Sequence, residues 1–137
     1  ATAQNMAPDP QALLSLIPYV QHLGIRADVV NGVLTLTMPF TPHLVGNVAL
    51  PALHGGVIGS LLLTAAIAQV VWEMRSPRLP KPVDISIDYL RSGRAVASHA
   101  RARIAKHGRR VVNVHAEMWQ ENEAKPIAAL RGHFLIG

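Results

Sequence analysis

The chain has 137 residues, half of them hydrophobic, which is enough for a single domain with a sizeable core. It contains no cysteine, so disulfides, thiolate metal sites and a cysteine nucleophile are excluded. The formal net charge is +5, and ten of the thirteen basic residues lie between Arg75 and Arg110, which predicts an anionic partner.

The N-terminal region is expected to be a flexible end followed by a short helix. The first ten residues lack the cationic start and apolar run of a secretory signal, and the chain has no cysteine, so we expect a cytoplasmic protein. One domain over 1–137 is expected, with residues 1–9 flexible. Pro10 suits a first helical turn, and apolar residues then recur at helical spacing up to Gly24. Pro18 should bend or interrupt this helix.

A β-hairpin is predicted next, with strands at Ile25 to Val30 and Val33 to Met38. Asn31 and Gly32 between them favour the positive φ angles of a two-residue turn. From Thr41 to Leu53 the chain is expected to be a loop.

The apolar segment from Gly55 to about Met74 predicts a helix of about five turns. Its uncharged part is close to the length of a membrane span, but Gly, Ser, Thr and Gln dilute it and soluble strand patterns follow, so no membrane association is expected. Apolar side chains cover nearly its whole circumference, which predicts a central helix enclosed by other elements.

Four strands are predicted after this helix, at Val83 to Leu90, Ala95 to Lys106, Arg110 to Gln120 and Pro126 to Ile136. The fold class is therefore α+β, with an antiparallel sheet curled around one long central helix. A single curled sheet leaves part of the helix uncovered, so we expect a homodimer, paired again into a tetramer.

The basic segment admits two kinds of anionic partner. The six aromatic residues are scattered and form no stacking platform, so we expect no nucleic acid partner and favour a phosphorylated small molecule. Solvated cationic side chains on a strand face are the alternative for each basic residue.

Four segments at characteristic intervals resemble one family. They are Leu44-Val45-Gly46-Asn47, Leu53-His54-Gly55-Gly56-Val57, Ile87-Asp88-Tyr89-Leu90-Arg91 and Gly108-Arg109-Arg110-Val111-Val112. Together they resemble the hotdog-fold acyl-CoA thioesterases of the phenylacetate-degradation type, over residues 13 to 136. The resemblance implies hydrolysis of an acyl-CoA thioester without a cofactor, coenzyme A being part of the substrate.

The resemblance assigns catalytic roles to Gly55, Asn47 and His54. A helix start offers unpaired amide groups, so Gly55 is expected to polarise the thioester carbonyl, with Gly56 beside the substrate. Asn47 is expected to orient water or the carbonyl, and His54 to position the loop. The alternative for Gly55 and Gly56 is that they only allow close helix packing.

Leu63 stands where the family usually has an Asp or Glu base, eight residues after the glycine donor. Leucine cannot accept a proton, and the hydroxyl groups of Ser60 and Thr64 are poor bases without an activating partner. We therefore expect Leu63, Ser60 and Thr64 to border the substrate and not to act as the base. Asp88, Glu117 and His115 remain open as alternatives.

The resemblance also places the site between two subunits, because positions 55 and 63 of one helix lie roughly 12 Å apart. Arg91, Arg109 and Arg110 are expected to bind the phosphates of coenzyme A, since guanidinium matches phosphate geometry.

Other hydrolase classes are disfavoured by the sequence. It has no Gly-x-Ser-x-Gly elbow of an α/β serine hydrolase and no histidine pair at metal-ligand spacing, so no metal is expected. Two hypotheses remain: an acyl-CoA thioesterase, and a catalytically weak acyl-CoA or acyl-carrier binding protein on the same scaffold. The acyl group is not specified by the sequence.

Overall fold

A computed structural model describes residues 23–40, 55–75 and 78–136. The short N-terminal helix and the loop over 41–53 that the sequence predicts lie outside these residues, apart from Leu23 and Gly24 at the end of that helix. The described part contains one long helix and six strands. These are β1 (Arg26–Val30), β2 (Val33–Met38), α1 (Gly55–Met74), β3 (Lys81–Tyr89), β4 (Ser98–His107), β5 (Val111–Trp119) and β6 (Ala128–Leu135).

The β1–β2 hairpin has the two-residue turn that the sequence predicts. Asn31 and Gly32 have φ angles of 53° and 77°, and the flanking Val30 pairs with Val33. Both angles fall in the left-handed region that Asn and Gly tolerate best.

The six strands form one antiparallel sheet in the order β1-β2-β4-β5-β6-β3. The helix packs mainly against β4 and β5 in the middle of this sheet. Strand β3 follows the helix in sequence but lies at the edge of the sheet, beside β6. This order places the end of β3 next to the start of α1.

The core lies between α1 and the concave face of the sheet. Leu61 and Leu62 of the helix and Val112, Val114 and Phe134 of the sheet are fully buried. By length and composition alone α1 could cross a membrane, but more than half of its apolar stretch is buried inside the domain. It is therefore the core helix of this domain, as the sequence predicts.

Val83, Ile85, Ile87 and Tyr89 alternate with polar residues along β3, a pattern that predicts one buried face, but this face is partly exposed in the structure. Val83 is 62% exposed and Tyr89 55%, while Ile85 and Ile87 are half-buried. An edge strand has a neighbour on one side only, so its apolar side chains remain partly uncovered. Pro82 near the beginning of β3 is compatible with this edge position because proline has no amide proton to donate.

Candidate active site

The first turn of α1 is joined to the end of β3. The Tyr89 hydroxyl group donates a hydrogen bond to the Gly55 carbonyl oxygen at 3.1 Å. Ile58, one turn along the helix from Gly55, borders a cleft with Leu90 and Arg91. The predicted carbonyl-binding helix start therefore lies beside the segment that carries Arg91.

Packing against the described residues does not require a glycine at position 55. Among those residues, a Cβ atom there would meet the Tyr89 side chain at 3.9 Å, which is ordinary van der Waals contact. Gly55 also lies outside the positive-φ region that favours glycine. A Cβ at Gly59 would lie 3.4 Å from Ile87 Cδ1, also an ordinary contact, so both glycines face β3 of the same chain. The packing alternative is therefore not supported at Gly55 by the described residues.

One face of α1 is left partly uncovered by the sheet. Its residues, spaced three or four apart, are Gly56, Gly59, Ser60, Leu63 and Ile67, and apart from the exposed Gly56 they are half-buried. We call these residues the open face of α1. Leu63 therefore lies on a surface that a ligand or a second chain can reach, although it cannot accept a proton.

The two hydroxyl groups near Leu63 are both bonded within the helix. Ser60 Oγ donates to the Gly56 carbonyl at 2.8 Å, and Thr64 Oγ1 donates to the Ser60 carbonyl at 2.6 Å. Thr64 is only 3% exposed and lies about two and a half turns from Gly55, on the opposite side of the helix. Within one chain, Ser60 belongs to the open face and Thr64 does not.

The alternative proton acceptors lie on the other side of the sheet. Asp88, Glu117 and His115 line a groove on the convex face, whereas Ala116 and Met118, alternating with them on β5, point into the core. Within one chain these three side chains are therefore separated from α1 by the sheet. Asn47 and His54 lie outside the described residues.

The three predicted phosphate-binding arginines do not cluster within one chain. Arg91 follows β3, and its Nη1 donates to the Pro126 carbonyl at 2.8 Å. Arg109 and Arg110 are exposed in the β4–β5 turn. The stretch of β5 from Val111 to Met118, eight residues and about 23 Å long, separates these places.

On the convex face of the sheet, His133 lowers the pKa of the Asp84 carboxyl. His133 Nδ1 lies 2.8 Å from Asp84 Oδ1, and this hydrogen bond, with the charge of His133, holds the pKa of the Asp84 carboxyl below its ordinary value of 3.8. Among the described residues, no three histidine, aspartate or glutamate side chains are grouped as metal ligands.

Comparison with known proteins identifies the family. A family model described as the acyl-CoA thioesterase N-terminal domain matches residues 44–135, which include the start of α1 and all of β3 to β6. The chain belongs to this acyl-CoA thioesterase family. It is also 30% identical over 136 residues to the medium/long-chain acyl-CoA thioesterase YigI of Salmonella typhimurium, covering 88% of this chain and 86% of that protein.

Solved structures of similar proteins confirm the hotdog fold. The PaaI protein from the phenylacetic acid degradation operon of Escherichia coli superposes with a TM-score of 0.73 at 24% identity, covering 91% of this chain and 92% of that one. A protein of Chromobacterium violaceum has the same TM-score at 38% identity, with 91% and 87% covered. The predicted resemblance to the hotdog thioesterases of the phenylacetate-degradation type is confirmed.

One contact at the site was missed by sequence reasoning. Tyr89 belongs to the segment that carries the resemblance, but its hydrogen bond to Gly55 follows only from the strand order, which places β3 beside the helix start. The alternation of apolar residues along β3 predicted that Tyr89 and Ile87 share a face, and both approach the glycines of α1.

Proposed function

We propose that the protein is an acyl-CoA thioesterase that hydrolyses its substrate at a site shared between two copies of the chain. The observation that carries this proposal is the exposed start of α1, where neither packing against the described residues nor backbone conformation requires glycine at Gly55. The first amide groups of a helix have no partner within it and carry a partial positive charge. A glycine there leaves room for a thioester carbonyl to approach them.

The reaction that this arrangement favours is attack by water on the thioester carbon. The carbonyl oxygen gains negative charge as the new C–O bond forms, and amide groups at the start of α1 stabilise that charge. The tetrahedral intermediate then collapses with cleavage of the C–S bond. The products are a carboxylic acid and the thiol of coenzyme A, the water having supplied one proton to the sulfur.

The open face of α1 supports the pairing of two copies. Gly55 and Leu63 are each four residues, about 6 Å, from Gly59. If two α1 helices cross in antiparallel orientation at Gly59, the Gly55 of each lies beside the Leu63 of the other.

The same antiparallel arrangement would bring the predicted arginines together. Arg91 lies at the end of the sheet next to the start of α1. Arg110 lies at the other end, where its carbonyl oxygen accepts a hydrogen bond from the Ile136 amide. Antiparallel pairing places that end of one copy beside the Arg91 end of the other. Arg91 of one chain and Arg110 of the other would then form one phosphate-binding rim.

The exposed edge of β3 is a second reason to propose a dimer. Val83 and Tyr89 are more than half exposed there, and an unpaired strand edge offers its amide and carbonyl groups to another strand. Covering this edge and the open face would remove apolar surface from water. The further pairing into a tetramer and the cytoplasmic location stay predictions.

A catalytically weak acyl-CoA or acyl-carrier binding protein is the second candidate, and Leu63 favours it. A steady-state assay against short, aromatic and long acyl-CoA substrates separates the two, because a binding protein saturates with acyl-CoA without releasing thiol. No release of thiol with any of these substrates would refute the enzyme.

A mixing experiment tests whether the site is shared. Gly55→Val blocks the carbonyl site, and Leu63→Arg places a bulky cation on the opposing surface, so each variant alone should be inactive. A mixed dimer retains one site with wild-type residues at both positions. Recovery of up to half of the wild-type activity per mixed dimer, after the two variants are unfolded and refolded together, is expected. If the mixture stays inactive although mixed dimers form, the site is not shared.

A further inference from the structure

A cavity of about 370 Å³ lies at the C-terminal end of α1, against the segment 78–81 and the end of β6. Its volume falls within the range of about 300–1,000 Å³ that is usual for small-molecule sites. Most of its lining is apolar, including Val70, Val71, Met74, Leu79 and Leu135. Val70 and Val71 form a fully buried floor, whereas Met74, Leu79 and Leu135 are each more than one third exposed.

The charged residues that line this cavity have one sign. They are Arg78 and Lys81, both exposed, and the described lining contains no carboxylate. The groove on the convex face of the sheet differs, since its three arginines are accompanied by Asp88, Glu117 and Glu123. The cavity at the end of α1 therefore combines an apolar interior with a cationic mouth.

We propose that this cavity binds a fatty carboxylate, with the hydrocarbon chain against Met74, Leu79 and Leu135 and the carboxylate beside Lys81. Each methylene group removed from water contributes about 0.8 kcal/mol, so an apolar interior selects for an alkyl chain. A carboxylate at the mouth makes charge-assisted hydrogen bonds with ammonium or guanidinium groups. An uncharged or cationic amphiphile cannot make these charge-assisted hydrogen bonds.

The cavity lies on the same side of α1 as Leu63 and Ile67 of the open face. Leu63, Ile67, Val70 and Met74 follow one another at spacings of three or four residues, so they lie along one side of the helix. About 10 Å of helix separates Leu63 from Val70. A fatty acid released beside Leu63 is therefore one source of a ligand for the cavity. Only this source of the ligand rests on the proposed function; the site itself does not.

Calorimetric titration of the intact protein with decanoate tests the proposal, with decanol and decyltrimethylammonium as matched ligands below their micelle concentrations. We expect saturable binding of one decanoate per chain, at least about tenfold tighter than either matched ligand. Leu79→Asp and Lys81→Glu should weaken decanoate at least about tenfold, because each adds a negative charge at the exposed mouth. Lys125→Glu changes the net charge equally, in the β5–β6 connection, and should leave binding unchanged.

Val70→Trp fills the cavity and should abolish decanoate binding, provided that circular dichroism shows that the variant folds. If it does not fold, the exposed substitutions Leu79→Asp and Lys81→Glu test the site instead. Equal affinity for decanol and decanoate, or equal weakening by Lys125→Glu and Lys81→Glu, would overturn the assignment, as would no saturable binding. The readout is binding of the free acid, so failure of the proposed hydrolysis would leave this result unaffected. Equally, loss of decanoate binding in Lys81→Glu with normal thioester hydrolysis would separate the two sites.

Discussion

The Tyr89 hydroxyl group lies 3.1 Å from the Gly55 carbonyl oxygen, which it holds by a hydrogen bond across the gap between β3 and α1. The two residues are 34 positions apart in the sequence. The bond links the edge strand to the turn whose amide groups are proposed to bind the thioester carbonyl. Because both residues are exposed, the bond should influence the orientation of the helix start more than the stability of the domain.

Replacing Tyr89 by phenylalanine should reduce kcat more than it reduces stability. The variant keeps the ring beside Gly55 and removes one exposed hydrogen bond, whose net contribution is about 0.5–1 kcal/mol. Misplacement of the oxyanion donors by about 1 Å can lower a rate by about 10²-fold. Thermal unfolding and steady-state kinetics measure the two effects. A fall in kcat no larger than the loss of folded protein explains would contradict the positioning role.

Gly55→Ala should leave the domain folded but lower kcat/KM by about 10²-fold, because a methyl group fits against Tyr89 yet obstructs the approaching carbonyl. Gly132→Ala is the matched control. A Cβ at Gly132 would lie 2.9 Å from the Asp84 carbonyl oxygen across the β6–β3 pairing. That variant should lose about 1–3 kcal/mol of stability. Normal turnover in Gly55→Ala would return this glycine to a purely structural role.

Arg110→Ala should raise the Kd of coenzyme A several-fold and reduce its salt dependence, since a phosphate contact is screened by added ions. Arg91→Ala should have a similar effect if two chains form one rim. Arg103→Ala is the control, because Arg103 lies on the convex face beside His115, at 3.2 Å. Titrations at low and high salt measure the change. Equal effects of all three substitutions would indicate general electrostatic attraction instead of a site.

Acid should weaken the pairing of β3 with β6 through Asp84. The pKa of this carboxyl is lowered in the folded protein by its hydrogen bond to His133, so it stabilises the fold above its ordinary pKa of 3.8. That stabilisation is lost as the pH falls through the lower folded pKa. The melting temperature should therefore fall less between neutral pH and a pH below 3.8 for Asp84→Asn than for the wild-type protein. Identical pH dependence would remove Asp84 from the acid response. The carboxyl is fully exposed, so the difference should be small.

The sequence predicted local elements better than their neighbours in space. The Asn31-Gly32 turn and the long apolar helix follow from backbone preference and hydrophobic pattern, and the structure confirms both. Those signals do not specify that β3 pairs with β6 at the edge of the sheet, because strand order depends on contacts between distant segments. The exposure of Val83 and the separation of Arg91 from Arg110 both result from that order.

Leu63→Asp should raise the turnover of the proposed thioesterase by at least about tenfold. Leu63 is half-buried on the open face of α1, where a carboxylate from one chain could activate water beside the Gly55 of the other. General base catalysis contributes about 10²–10⁴-fold in well-placed sites. Partial burial should raise the pKa of the new carboxyl, which brings it nearer to the working pH.

The measurement must separate this chemistry from folding, because a carboxyl group in an apolar setting can cost several kcal/mol. Light scattering and circular dichroism would first establish that the variant keeps the oligomeric state and helix content of the parent. Leu63→Asn then serves as the matched control, being polar and nearly the same size as aspartate but unable to accept a proton at neutral pH. An increase in kcat for aspartate alone, with a pH profile that follows one carboxyl group, is the expected result. If the parent already turns over rapidly and both folded variants are slower, another group supplies the base, and Leu63 contributes by packing against the substrate.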